Sequence, residues 1–578
     1  MKMSLKLAVL SATVLAFAPI SSQARDLAVP GATPKSAAAI FSINDTKSLW
    51  AGISQSPLGA PLTAMFANPA LANDPGYAEF LAERAKAEAT LGYPITGASI
   101  FGDVLKGIDV YLVPPTEGSD EPGFVVAASF ADAANVTKTM DHFLGGVAEE
   151  TGETATELDV NGTMVKAFPG QSLFMSARGT ALFAASSEAA IRETLTADGN
   201  ADILQSADYQ AAMNGLADKT GQSWFYGDGA NLAKILELAP GASELAGAAP
   251  ALEGTILAGV GSFEADKIRF SSFTPANKMT EADKAVLAST TTSPNGASRF
   301  LPDAGWVYFA MQNFNWKTLL DGATADAASA GPEAQQAMEM QRAMLEQGGM
   351  SIGLSFENDV LPVLGPEISL GLGKVVMDLM GGGAPNADLV IATKVTDNAK
   401  ATDLMNKLEA ALVDTMKGQF ESQGVAPPAD LALFTSKDDP AGKMRVFTAP
   451  AGMESQVPVA PAYAITNDGY LVLAMSEGGL KDALARSTGG QSFANGSLAS
   501  KVGAINPAGT FQKTFIDLPK IVEFASPLAM MFAGSSMDEM QRNMMVSAFD
   551  VAKAMGTAYY GVSVEESGRR SDLMFVMQ

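Results

Sequence analysis

Cysteine is absent from the 578 residues and histidine occurs once, at His142. The first absence removes disulfides, thiolate zinc sites, iron–sulfur ligation and cysteine nucleophiles; the second leaves no multi-histidine metal site. Basic side chains are also few, 38 against 63 acidic ones, for a formal charge of −25. Phosphate backbones and anionic lipid head groups repel such a chain, so nucleic acid is not an expected partner. Beyond the N-terminal segment no run of 18 apolar residues occurs, so no transmembrane anchor is expected in the mature chain. What the sequence does have is apolar content, 47%, ample for packed cores at this length.

Residues 1–24 read as a cleaved secretory signal. Lys2 and Lys6 precede the apolar stretch Leu7 to Ile20, and Ser22-Gln23-Ala24 fits the small-x-small pattern of a cleavage site. A spanning helix needs roughly 20 apolar residues; this stretch is shorter, and Pro19 interrupts its end. With no cysteine available for lipid attachment, the expected location is periplasmic or secreted, after cleavage near Ala24.

Self-similarity organises the remainder. Pro34 to Leu49 parallels Pro302 to Leu319, and Asp103-Val104-Leu105 precedes Gly107 to Leu112 as Asp359-Val360-Leu361 precedes Gly365 to Leu370. Val125 to Asp132 (VVAASFAD) matches Val390 to Asp397 (VIATKVTD), each a strand delivering an N-capping Asp to an amphipathic helix, with Met140 and Met405 at equal offsets. Gly179 to Leu195 resembles Gly469 to Leu484: a turn glycine, a strand, then a helix opened by Ser and Glu. Trp224 to Asp228 corresponds to Phe515 to Asp517, and Gly261 to Glu264 to Val562 to Glu565. These collinear blocks predict a first repeat lobe over 25–279, a linker over 280–298 whose end (Ala288 to Gly296) is weakly hydrophobic, and a second lobe over 299–578. The fold class expected is α+β: two homologous lobes, each a mostly antiparallel or mixed sheet packed with amphipathic helices.

Catalytic constellations are hard to assemble from this chain. Gly349 to Gly353 matches G-x-S-x-G, but no histidine follows it, so the motif reads as a turn into a strand-like Ser351 to Phe356. Gly371-Leu372-Gly373-Lys374 lacks the spacing of a phosphate loop, and Gly227-Asp228-Gly229 lacks the third glycine of a dinucleotide turn. His142 lies on a helix whose second copy carries Lys407 there, and reads as a surface or partly buried residue rather than a general base. Asp438-Asp439, Glu149-Glu150 and Glu565-Glu566 read as solvated charge, since no calcium-loop pattern organises them. No catalytic residue, metal or cofactor is expected.

Methionine is the compositional oddity: 29 residues, mostly in the second half. Met338, Met340 and Met344 share one predicted helix, while Met530, Met531, Met537, Met540, Met544, Met545 and Met555 surround another. Three readings compete. Met530-Met531-Phe532 and Met544-Met545-Val546 supply an ordinary amphipathic core, the leading reading. As a flexible, polarizable side chain, methionine also suits an adaptable groove for acyl chains or apolar peptides, with Met530, Met531, Met537, Met540 and Met544 as the ligand-binding candidates. Met537, Met540 and Met544 share a helical face that soft thioether ligation of Cu(I) requires.

The strand Ile40 to Asn44 followed by a helix, the Ser56-Pro57-Leu58-Gly59 break, the Asp103-Val104-Leu105 to Gly107 step and the VVAASFAD unit resemble exported bacterial proteins grouped as a domain-of-unknown-function family. The resemblance covers roughly residues 30–275 and 299–578, rests on apolar pattern, and carries no catalytic residues. The expected function is therefore non-enzymatic: an exported protein binding an apolar ligand or an envelope protein partner through a groove or interlobe cleft. A carboxylate-dependent hydrolase and a scaffolding module without a small ligand are the alternatives.

Overall fold

The computed structural model describes residues 27–66, 75–115, 122–197, 201–216, 221–238, 254–289, 295–303, 305–313, 315–350, 353–376, 386–422, 424–450, 460–496, 510–533, 537 and 539–577. The segment 1–24, read above as a secretory signal, lies outside them. Two compact units form: Met1–Met279 with Ala525–Gly556 and Ser567–Gln578, and Thr280–Phe524 with Thr557–Glu566.

The first unit opens with β1 (Ala39–Ile43) and helices α1 (Thr46–Gln55), α2 (Gly59–Phe66) and α3 (Pro75–Leu91). A π-helical turn over Ile100–Val104 leads into β2 (Leu105–Val113), then β3 (Gly123–Phe130) and α4 (Ala133–Thr151). Four short strands follow: β4 (Thr156–Val160), β5 (Thr163–Phe168), β6 (Leu173–Arg178) and β7 (Ala181–Ala185). Helices α5 (Glu188–Thr196) and α6 (Ala207–Gly215), strand β8 (Ser223–Asp228), helix α7 (Gly229–Leu238) and the hairpin β9 (Ile256–Glu264) and β10 (Lys267–Pro275) complete the continuous part.

The second unit begins with α8 (Glu281–Ser289), inside the segment read as a linker, so that part of the linker expectation is corrected. Its N-terminal amide is taken by Asp326 at 2.6 Å. Next come β11 (Tyr308–Asn313), α9 (Trp316–Ala330), α10 (Pro332–Met350) and a second π-helical turn, Phe356–Val360. This turn occupies ground where a strand reaching Phe356 was expected. After it follow β12 (Leu364–Val376), β13 (Asn386–Val395), α11 (Asn398–Ser422), β14 (Phe434–Asp439), β15 (Gly442–Phe447), β16 (Ala462–Thr466) and β17 (Tyr470–Ala474). Helix α12 (Glu477–Ser487), β18 (Thr510–Asp517), the start of α13 (Leu518–Ala533) and β19 (Thr557–Glu565) complete the second unit, while the rest of α13, α14 (Glu539–Ala554) and β20 (Gly568–Val576) belong to the first.

The class is α+β, as expected, and every strand pairing within each unit is antiparallel. Among the described residues the first unit's order is β4-β5-β6-β7-β3-β2-β1-β8-β9-β10-β20. The second unit's is β14-β15-β16-β17-β13-β12-β11-β18-β19, the same order with each strand number raised by ten. In the first unit β10 is covered by the terminal strand β20. Buried Asp572 secures that pair by accepting from Arg269 Nη2 at 3.0 Å and from Ser271 Oγ.

Alternation sends Val125 and Ala127 of β3 to one face and Ala128 and Phe130 to the other. The first face carries the main core, where Trp224, Tyr226, Phe183 and Ile191 pack with Tyr209 of α6. The opposite face is covered by α4 through Val136, Met140 and Val147. Asp132 caps α4 by accepting from Asn135 N at 2.8 Å, and Asp397 caps α11 by accepting from Ala399 N at 2.7 Å. Met405, at the position of Met140, is buried with Leu404, Tyr463 and Leu471 in the second unit's core.

Candidate binding sites

The methionine helices are mostly not core. Met530 and Met531 on α13 are 37% and 52% exposed, and Met544 on α14 is 48% exposed, beside an exposed Val546. Met537 is half-buried between the two helices in sequence, and the side chain of Met540 lies outside the described residues. The core expectation is thus corrected for Met530, Met531 and Met544. The physical reason is local: α13 is apolar around most of its circumference yet buries Val522 alone among its described side chains, while α14 anchors only its last turn. Val551, Ala554 and Met555 of that turn pack with Leu58 and Leu62 of the α2 region and with Ile268 and Phe575.

Exposed apolar side chains recur on the helices that precede the two π-turns. On α3 Phe80 is 57% exposed, stacked on Tyr77 at 6.0 Å, with Leu81 beside it; on α10 Met340, Met344 and Leu345 are exposed. Monomeric proteins carry scattered apolar residues on their surfaces, so the repetition at corresponding helices is the informative part.

Each unit also fastens its lead-in segment to a strand carboxylate. In β2, Asp109 is fully buried and accepts from Ala28 N at 3.0 Å, Val29 N at 2.7 Å and Ser42 Oγ at 2.5 Å. Burial pushes its carboxyl up to about 6, against the lowering effect of those three donors. In β12 the register position of Asp109 is held by Ser369, and Glu367, two residues earlier on the same strand, accepts from Gly296 N at 2.8 Å and Tyr470 Oη at 2.8 Å. Neither carboxylate stands in a recognised motif; an acid within an apolar strand is the one signal the sequence carries for them.

A cavity of about 490 Å³ opens in the second unit between the start of α12 and strands β12 and β13. Trp306, Asp388, Gly478, Asp482 and Arg486 stand in its wall. Gly371 and Gly373 let the Trp306 ring lie against β12, since a methyl group on either would come within 3.4 Å of Cζ3. The GLGK segment is therefore sheet, not a phosphate loop.

The remaining sequence candidates do not converge. His142 is half-buried on α4 with its ring edge-on to Phe143 at 5.9 Å, and Lys407 pairs with Asp359 at 2.5 Å. Glu149 pairs with Lys86 at 2.8 Å, Asp439 accepts from Ala441 N in the β14–β15 turn, and Asp438 is exposed. Gly349 closes α10, and Ser351 lies outside the described residues. Asp228 of the Gly-Asp-Gly segment caps α7 through Asn231 N. Among the described residues no helix is long and apolar enough to cross a membrane, and no three His, Cys, Asp or Glu side chains gather where a metal ion could be held.

Compared with known proteins, residues 109–426, more than half of the chain, match a family model described as a protein of unknown function (DUF3352). The match starts at the buried Asp109 of β2 and runs past the end of α11. No curated protein and no solved structure matches.

Proposed function

Since the chain belongs to the DUF3352 family, a family of unknown function, we propose that it acts by binding rather than catalysis, as an exported protein whose exposed methionine helices take an apolar ligand or an envelope protein partner. The observation that carries this reading is the exposure of Met530, Met531 and Met544, with Val546, on two neighbouring helices in sequence. Covering such surface returns about 25 cal/mol per Å², and flexible thioethers adapt to partners of varied shape. Export is supported by Lys2, Lys6, the apolar stretch to Ile20 and the Ser22-Gln23-Ala24 site. The identical strand order of the two units supports descent from one duplicated folding unit.

The test uses the mature chain beginning at Arg25. A solvatochromic apolar dye is titrated in, then displaced with a long-chain fatty acid or an amphipathic helical peptide. Saturable binding weakened about tenfold or more in the Met530→Ser, Met531→Ser, Met544→Ser triple variant is expected. Unchanged binding in that variant, with unchanged melting temperature, rejects these helices as the site.

A further inference from the structure

We propose that the cavity beside α12 in the second unit binds a small zwitterion of the amino-acid or dipeptide class, its carboxylate at Arg486, its ammonium group at Asp388 and Asp482. This site is separate from the methionine helices and does not depend on that reading.

The two units differ here in a reciprocal way. Val125 stands opposite Ala185 across β3 and β7, as Val390 stands opposite Ala474 across β13 and β17, which aligns Gly123 with Asp388. Ser187 caps α5 through Ala190 N, as Ser476 caps α12 through Gly479 N, which aligns Ala190 with Gly479. In the first unit strand and helix close up: a methyl group on Gly123 would lie 2.4 Å from Ala190 Cβ. In the second unit the strand bears the carboxylate and the helix bears the glycine. Gly478 faces open space, and the place of the buried Ala197 is taken by Arg486. A cavity remains between strand and helix, and its wall bears charge.

Among the described residues that charge forms no ion pair. Arg486 donates from Nε to the Phe300 carbonyl at 3.2 Å, leaving the outer guanidinium nitrogens without a protein acceptor among the described residues. Burial holds the guanidinium below its usual value, and Asp482, one turn earlier, acts on it through space without an ion pair. Asp388 and Asp482 make no ion pair among the described residues. The indole N–H of Trp306, a wall residue, is buried without an acceptor. One cationic and two anionic groups in a small open cavity match a molecule carrying both charges, and about 490 Å³ lies in the lower part of the range for small-molecule sites.

Isothermal titration calorimetry on the mature chain tests this with glycine, L-leucine and L-alanyl-L-leucine, each beside its C-terminal amide and N-acetyl form, and with acetate. Expected is binding of at least one free zwitterion, weakened tenfold or more by amidation, by acetylation, and by Arg486→Gln or Asp388→Asn. Asp388 is exposed, so its variant keeps the fold and guards against a failure of Arg486→Gln to fold. The Gly478→Ala, Gly479→Ala pair, which restores the first unit's residues, is expected to raise the melting temperature while weakening binding tenfold. Three results overturn the proposal: no binding by any panel member at millimolar concentration, binding indifferent to both charge variants, or acetate binding as well as the zwitterions and unaffected by Asp388→Asn.

Discussion

Asp109 and Val29 meet at 2.7 Å, carboxylate oxygen to backbone amide, across 80 residues of sequence. The contact fixes the segment before β1 to the middle of the first unit's sheet, and the same carboxyl takes Ala28 N and Ser42 Oγ. Its desolvation outweighs these donors, with the carboxylate of Asp202 adding to the upward push to about 6. The folded chain thus holds the proton more tightly than the unfolded chain, whose aspartates titrate near 3.9. Its contribution to stability is complete below about pH 4 and is lost as pH rises through about 6, on the order of 3 kcal/mol. Urea denaturation of the protein at pH 4 and 7 should show this loss, and Asp109→Asn should shrink the difference.

Gly123→Ala forces a methyl group into Ala190, at 2.4 Å from its Cβ, where helix α5 cannot withdraw without opening the main core. Overpacking of this kind costs about 1–3 kcal/mol. A melting temperature lowered by several degrees is expected, whereas Gly478→Ala, with open space around it, should hold or raise it.

Trp224 is fully buried, edge-on to Tyr209 at 5.7 Å. Trp224→Ala should cost about 3–5 kcal/mol, and Met544→Ala should stay within about 0.5 kcal/mol of the parent. Equilibrium unfolding of both variants measures the contrast, and a core-sized loss for Met544→Ala would contradict its position on the surface.

Glu409 of α11 gathers two partners from β15 and β16: Arg445 Nε at 2.8 Å and Tyr463 Oη at 2.7 Å. The carboxylate is mostly shielded from solvent, and its hydrogen bond raises the Arg445 guanidinium above its usual value. Glu409→Ala strands the guanidinium and should cost about 1–3 kcal/mol. A double-mutant cycle of Glu409→Gln with Tyr463→Phe should give a coupling energy of about 0.5–3 kcal/mol.

What could be read ahead of the structure was what neighbouring residues decide among themselves. Asp132 and Asp397 cap helices through amides two or three positions on, so the sequence alone places them, and Ser187 and Ser476 behave alike. Met140 and Met405 line core faces because helical period and capping offset locate them together. The partners of Asp109 are 67 to 81 residues away, a separation no local pattern carries. Met530 and Met544 mark another limit: amphipathic spacing shows which face is apolar but not whether anything covers it. The Glu281–Ser289 helix escaped because its flanking Ser and Thr run dominated the composition. The cavity beside α12 was hidden further still, since it arises from one exchange of side-chain size between a strand and a helix distant in sequence.

The pairing of β10 with β20 joins residues about 300 positions apart. During synthesis β10 has no neighbour on that side until β20, about 300 residues later, has been made. An unpaired strand is a template for joining other molecules, so biogenesis includes a long interval of self-association risk that closes when β20 docks. Loss of β20 would leave the same margin permanently bare.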